Sequence, residues 1–240
     1  MTANLEAAPS APPVRRKRNP RGSLNREVIV SEAFRLCADE SLDELSMPKL
    51  AKRLGVGVTS LYWYFHTKEE LLQAMLEQVA HEFLHALPDD DDLPWDEHLR
   101  RYFTAMRRIF LTNDVICDFL VMRTDVSIVN TGQFFIDRMD REVGVLLAAG
   151  FTPELATHAY QAMSVYTTGS VQKVRLSQLR GTPPEAKMFP IDDPGAMEQI
   201  AERYPDLHVT AHYWHASYST EVDYQAGLDL LLSGLRAHLR

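Results

Sequence analysis

Residues 45–72 read LSMPKLAKRLGVGVTSLYWYFHTKEELL. Ser46 is an N-cap residue, whose hydroxyl can accept from the amides of a first helical turn. Pro48 then falls inside that turn, where a missing N–H costs little. Leu50 and Leu54 lie on one face, and Gly55 supplies a stop. A turn follows, then a short second helix over about 58–65. Leu50, Leu54, Val56, Leu61 and Phe65 can lock the two helices together. This is the spacing of a helix-turn-helix, whose second helix enters the major groove of DNA. Thr67 and Glu70 form a capping box for a long helix that runs to about residue 87.

The outward positions of the second helix are small, hydroxylic or aromatic: Gly57, Thr59, Ser60, Tyr62, Trp63 and Tyr64. Three successive aromatic residues cannot all face a core from one helix. Small residues at its start allow the backbone close to DNA, and the hydroxyls can bond base edges or phosphates. Lys68 adds a cation at the start of the next helix, beside free N–H groups that suit a phosphate.

Working outward toward the N-terminus, Asn25 caps a helix ending near Asp39, with Ile29, Ala33, Leu36 and Cys37 on one face. Before it, residues 1–22 are rich in Pro, Ala and Arg and lack periodicity, which predicts a flexible arm. Arg15, Arg16, Lys17, Arg18, Arg21 and Arg26 form a run with no acid among them. The chain carries -8 overall, a balance that alone argues against a nucleic-acid partner. Its distribution reverses the argument. Residues 1–70 hold 11 basic and 9 acidic side chains, and the remaining 170 positions hold 14 and 24. A basic front on an acidic body directs one end to phosphate.

Toward the C-terminus, Pro88, Asp89, Asp90, Asp91, Asp92, Leu93 and Pro94 mark an exposed corner after the long helix. The acidic run lacks the ligand spacing of a calcium loop. Helical periodicity continues over about 95–112, 114–123, 130–149, 153–179, 206–217 and 219–239. Residues 181–205, with five prolines, read as a loop. No strand pattern competes, so the expected fold is all-α: an N-terminal three-helix DNA-binding domain and a C-terminal helical bundle. The division expected is a basic arm at 1–22, a reader at 23–70, a joining helix at 68–87, and an effector-binding and dimerisation domain over 71–240. Cys37 and Cys117 sit in helical segments as buried thiols, which suits a reducing compartment. No secretory signal or membrane-length apolar run is visible, so a cytoplasmic protein is expected.

The motifs Leu-Ala-Lys-Arg-Leu-Gly-Val (50–56), Leu61-Tyr62-Trp63-Tyr64-Phe65, Lys68 and Leu71-Leu72 strongly resemble the DNA-binding domain of the TetR family of transcription regulators. The resemblance covers about residues 25–75. It implies that Ser46, Lys49, Thr59, Ser60, Tyr62, Trp63, Tyr64 and Lys68 lie at or near DNA. Pro48 departs from it, standing where some members place a base-reading Arg, so operator preference should differ. The resemblance also implies a homodimer joined through a two-helix-per-subunit bundle, and an effector pocket in the second domain. The last helix is consistent with such a seam: Leu228, Leu231, Leu232, Leu235 and Leu239 form a stripe, with Gly227 and Gly234 permitting close approach. A twofold dimer would read a near-palindrome with half-sites about 34–36 Å apart or somewhat more.

Pocket residues in a bundle come from facing helices. Met106, Phe110, Phe119, Met122, Phe135, Met139, Tyr160, Met163 and Tyr166 are soft or aromatic candidates. Residues of this kind most often form core; together they suit an apolar or aromatic effector. His208, His212 and His215 have the spacing of one helical face, which fits an anionic effector held by His212, or a divalent metal and a metal-responsive regulator. His81-Glu82-Phe83-Leu84-His85 is a literal H-E-x-x-H, the core of a zinc hydrolase with Glu82 as general base, although no third ligand follows in sequence. A DNA-binding architectural protein without an effector is a further alternative. The expected function is an effector-released repressor, without enzymatic activity or cofactor; the same parts would serve an activator.

Overall fold

A computed structural model describes residues 24–89, 92–122, 132–183, 186–215 and 220–239. The basic arm, with Arg15, Arg16, Lys17 and Arg18, lies outside them, as do Asp90 and Asp91 and the side chains of 132–134. Helices form nearly all the regular structure among the described residues; one isolated bridge pairs Lys187 with His215. The chain divides into two compact units, Met1–Leu71 and Leu72–Arg240.

The first unit contains α1 (Arg26–Asp39), α2 (Met47–Leu54), α3 (Val58–Tyr62) and the first turn of α4 (Lys68–Ala86). Asn25 caps α1 by accepting from the Val28 amide, and Ser46 caps α2 by accepting from Lys49. Gly55 closes α2 in the left-handed conformation, φ 69°, which an L side chain adopts only at a cost. Ile29, Ala33, Leu36, Leu45, Leu50, Leu61 and Phe65 interlock as its core. Burying each of these except the small Ala33 stabilises the unit by about 1.5–3 kcal/mol against an exposed side chain. The helix predicted over 58–65 ends at Tyr62. Tyr64 and Phe65 instead close a turn onto the Leu61 carbonyl, which swings Phe65 fully inside. Arg26 secures that turn, bonding the Tyr64 carbonyl and lying 4.1 Å over the Phe65 ring.

The second unit contains the rest of α4, α5 (Trp95–Thr112), α6 (Asp114–Cys117), α7 (Gly132–Ala148), α8 (Pro153–Leu179), α9 (Pro194–Arg203), α10 (Pro205–Thr210) and α11 (Glu221–Ala237). α5 and α8 form its centre, and α7 and α11 pack against α8. Small buried residues on α8, among them Ala156, Ala159 and Ser170, let neighbouring helices approach closely. Arg107 is buried between helices: it donates to Ser170 Oγ at 3.1 Å, pairs with Glu221, and lies 4.7 Å over the Tyr224 ring.

Three expectations are corrected here. The helix foreseen over 114–123 changes to a π-turn at Asp118–Met122, steadied by Arg175 on the Asp118 carboxylate and by Gln172 donating to the Val121 carbonyl. The loop foreseen over 181–205 contains α9. Pro194 and Pro205 are not loop markers but the first residues of α9 and α10, where proline's missing amide is an orphan anyway. The helix foreseen over 206–217 stops at Thr210, gives way to a 3-10 turn at Ala211–Tyr213, and ends in extended chain. His208, His212 and His215 therefore do not share a helical face. His215 sits between Asp223 Oδ2 at 2.9 Å and Lys187 Nζ at 3.1 Å.

The expected leucine seam of α11 is also revised. Leu228 and Leu232 are wholly inside their own subunit. Gly227 faces inward too: a Cβ there would stand 2.0 Å from the Tyr166 hydroxyl oxygen. The outer face of α11 carries Val222 and Leu230, at 77% and 76% exposure.

Candidate DNA-binding surface and effector cavity

On the first unit, α3 and its C-cap Trp63 present Thr59, Tyr62 and Trp63 to solvent, with Trp63 81% exposed. Ser60 is half-buried beside them. A tryptophan this exposed gains little for the fold, and its cost in exposed apolar surface calls for a partner. Tyr64 is different. It is half-buried, and its hydroxyl donates to the Leu24 carbonyl at 2.7 Å, tying the entry of α1 to the turn after α3. Ser46 is engaged in its cap at 3.4 Å from the Lys49 amide.

Electrostatics on this unit are more restrained than the sequence suggests. Lys49 Nζ lies 3.0 Å from Glu40 and also contacts Glu44. Hydrogen bonds that Lys49 donates to Glu44 and Glu40 raise the Lys49 pKa, and Lys49 in turn lowers that of Glu44. Arg53 is held likewise by Glu32, at 2.6 Å, and by Asp39. Lys52 and Lys68 have no ion-pair partner among the described residues. The start of α4 departs slightly from the expected capping box. Thr67 accepts from the Glu70 amide at 3.1 Å, but the Glu70 carboxylate accepts from His66, one residue further back, at 2.7 Å.

The second unit contains a partly open cavity of about 560 Å³, with walls from α4, α5, the π-turn, α7 and α8. Of the candidate residues, Met106, Phe110, Phe119, Phe135, Met139 and Tyr160 line it. Met122, Met163, Tyr166 and His212 do not. Met163 is sealed in the core, Tyr166 stacks on Tyr224 at 5.4 Å, and His212 is exposed on the 3-10 turn. Phe83 stacks on Phe110 at 4.9 Å, so α4 contributes an aromatic wall that the sequence reading omitted.

The polar part of the lining was also missed. Arg138 lies 5.0 Å over the Tyr102 ring and donates to Asp89 at 2.9 Å and to the Pro88 carbonyl at 2.5 Å. Its Nε stands 2.8 Å from Glu142 Oε1, a close ion pair without an aligned N–H. Glu142 is completely buried, and its other oxygen meets His98 Nε2 at 2.7 Å. The Arg138–Glu142 spacing of four on one helix was the available signal. Tyr102 and Tyr160 both line the cavity. Burial raises both phenol pKa values, so the cavity offers neutral hydroxyls and one guanidinium within aromatic walls. Cys117, beyond this lining, is buried, and burial with the nearby Asp118 pushes its pKa up to about 12, which leaves it an unreactive thiol.

A helix-turn-helix with an exposed aromatic surface, followed by a helical domain that contains a largely apolar cavity, defines a DNA-binding regulator with a ligand-binding domain. Comparison with known proteins gives the family. Residues 29–75 match the family described as bacterial regulatory proteins, tetR family, and residues 87–239 match the tetracyclin repressor-like C-terminal domain. The chain is 37% identical over 224 residues to an HTH-type transcriptional repressor of Mycobacterium tuberculosis, covering 92% of this chain and 83% of that protein. It is 30% identical over 160 residues to the class C tetracycline repressor of Escherichia coli, covering 65% and 68%. The crystal structure of a possible TetR family regulator from Streptomyces coelicolor aligns with a TM-score of 0.64 at 29% identity, over 89% of this chain and 99% of that one. The chain belongs to the TetR family, and it is an effector-responsive DNA-binding transcription regulator.

The H-E-x-x-H segment finds no support as a hydrolase centre. His81 and His85 are exposed on α4, no third His, Cys, Asp or Glu joins them among the described residues, and Glu82 accepts from Gln78 at 2.9 Å.

Proposed function

We propose that this protein is a repressor that occupies a near-palindromic operator as a homodimer and is released by a small, largely aromatic molecule. The observation that carries the proposal is the pairing of an exposed Tyr62–Trp63 surface on α3 with a separate aromatic cavity of about 560 Å³. That volume suits a small organic ligand. Phe83, Phe110 and Phe135 favour flat apolar rings, while Arg138 and the Tyr102–Tyr160 pair can orient an oxygen-bearing edge. Repression is the sign named for the mycobacterial relative. Residues 23–70 serve as reader and 71–240 as sensor. α4 is the covalent path from one to the other, and it lends Leu76 and Phe83 to the cavity wall. An effector acts only through differential affinity for DNA-competent and DNA-incompetent forms, and about 1–3 kcal/mol of coupling gives a useful switch. The protein acts in the bacterial cytoplasm, where its operator lies, and needs no catalytic activity.

The test is selection of binding sites from random duplex DNA by the purified protein at near-physiological salt. An enriched near-palindrome is expected. Trp63→Ala and Tyr62→Ala should each lower affinity for that site by about tenfold or more, the scale of one lost base contact, without changing thermal stability. Enriched sites bound equally by both variants would remove α3 as the reader.

Two further outcomes concern the partners. The subunit seam lies on the outer faces of α8 and α11, where Val165, Leu179, Val222 and Leu230 expose apolar surface that a lone subunit leaves in water. Leu230→Glu should convert dimer to monomer in sedimentation velocity while helix content is retained; an intact dimer would place the seam elsewhere. The Lys49 ammonium, occupied by Glu40 and Glu44, must change partners to reach a phosphate. Glu44→Gln should therefore tighten operator binding and steepen its dependence on salt by up to about one unit of log–log slope. An unchanged slope would leave Lys49 outside the interface.

A further inference from the structure

His81 and His85 stand four residues apart on α4, one helical turn, with both side chains exposed. Their Nε2 atoms converge to 2.9 Å, and the ring centroids lie 4.1 Å apart at 65°. Two neutral imidazoles in this arrangement share one proton, one ring donating and the other accepting. The same pair of nitrogens can instead direct two lone pairs at one ion. With metal–nitrogen bonds of about 2.0–2.1 Å, a 2.9 Å separation corresponds to a bond angle at the metal of about 90°. That is the angle of a square-planar or octahedral ion. A tetrahedral ion would need the nitrogens about 3.3 Å apart at the same bond length.

We propose that His81 and His85 form a two-imidazole site for a divalent late transition-metal ion of square-planar or octahedral preference, nickel(II) or copper(II). Imidazole nitrogens suit both, and right-angle coordination favours them over zinc. Each ring coordinates through Nε2 and keeps its proton on Nδ1. The remaining positions belong to water, because no third His, Cys, Asp or Glu joins the pair among the described residues. The site needs no catalytic machinery and is independent of the effector cavity. Its effect is mechanical. An ion bound to both residues bridges one turn of α4, so it binds the helix in preference to the frayed chain and stabilises that turn. Binding weakens as pH falls, since protons compete for the same two nitrogens.

The test uses the untagged full-length chain and nickel(II) alone, which avoids the thiol oxidation that copper would bring. Equilibrium dialysis should find one nickel per chain. His81→Ala and His85→Ala should each weaken binding at least tenfold, while His158→Ala, at an exposed position on α8, should leave it unchanged. Alanine is the best helix former, so neither exposed α4 variant is expected to unfold. Copper(II) bound at low stoichiometry should give an electron paramagnetic resonance spectrum with two equatorial nitrogens, reduced to one or lost in His85→Ala. Absence of bound nickel, or equal binding by wild type and both α4 variants, would overturn the site. Zinc bound as tightly as nickel would overturn its right-angle geometry.

Discussion

Glu142→Ala is expected to lower the unfolding free energy of the second unit by about 3–5 kcal/mol, the scale for removing one partner of a buried charge pair. Glu142 is completely enclosed and is placed between the Arg138 guanidinium and His98. Its removal leaves Arg138 beside Asp89, a carboxylate that is 77% exposed and screened by water. Asp89→Asn should therefore cost far less, at most about 1 kcal/mol, as exposed ion pairs do. Glu142→Gln should fall between, because it keeps hydrogen-bonding atoms in place without the charge. Urea midpoints followed by circular dichroism provide the measurement. A Glu142→Ala loss no larger than that of Asp89→Asn would show that the buried trio is not a principal support of the fold. Arg138 also lines the cavity, so effector binding should weaken in Glu142→Ala at urea concentrations where the unit is still folded.

The second large effect runs against a general rule. Replacing a mid-helix glycine by alanine ordinarily stabilises a helix by about 1 kcal/mol. Gly144, on α7 with nothing within 4 Å of an added Cβ, should follow that rule. Gly227 should not. The Tyr166 ring occupies the space, its hydroxyl donating to the Asp223 and Tyr224 carbonyls at 3.2 and 3.0 Å. An added methyl must displace that ring, losing both hydrogen bonds and the stack on Tyr224. Gly227→Ala is therefore expected to destabilise by about 1–3 kcal/mol, the range for overpacking. Tyr166→Leu should recover part of the loss in the double variant, since the overlap goes with the ring. A stabilised Gly227→Ala protein would mean that Tyr166 moves aside without cost.

The parts of the fold legible in the sequence were those governed by local chemistry. Asn25, Ser46 and Gly55 announce helix ends because caps involve only neighbours in the chain. The Tyr62–Trp63 surface was legible because an exposed aromatic pair conflicts with the needs of a core. The cavity was half legible. Met106, Phe110, Met139 and Tyr160 line it, whereas on the same helix as Tyr160 Met163 turns into the core and Tyr166 turns to stack on Tyr224. Periodicity assigns residues to a face, but which helix covers that face is a tertiary fact. Leu228 and Leu232 show the same limit: a leucine stripe looks alike whether it meets a partner subunit or α8 of its own chain. Pro194 and Pro205 misled for another reason. A proline ends one helix and begins another with equal ease; the Asp193 cap marks Pro194 as a start, whereas Tyr204 before Pro205 offers no side-chain cap. The Glu142 network was hidden because His98 lies 44 residues from its partner.

The carboxylates around Lys49 and Arg53 have a consequence for how the regulator finds its site. Glu40, Glu44, Glu32 and Asp39 occupy these two cations before any duplex arrives, so a phosphate reaches either only by displacing a carboxylate. Sequence-indifferent attraction to DNA comes almost wholly from such cations. A reader with two of its cations already occupied lingers less on the very large excess of wrong sites in a genome than one with all of them free. Discrimination then falls to contacts that only the right sequence completes, and search time is shortened at the expense of raw affinity.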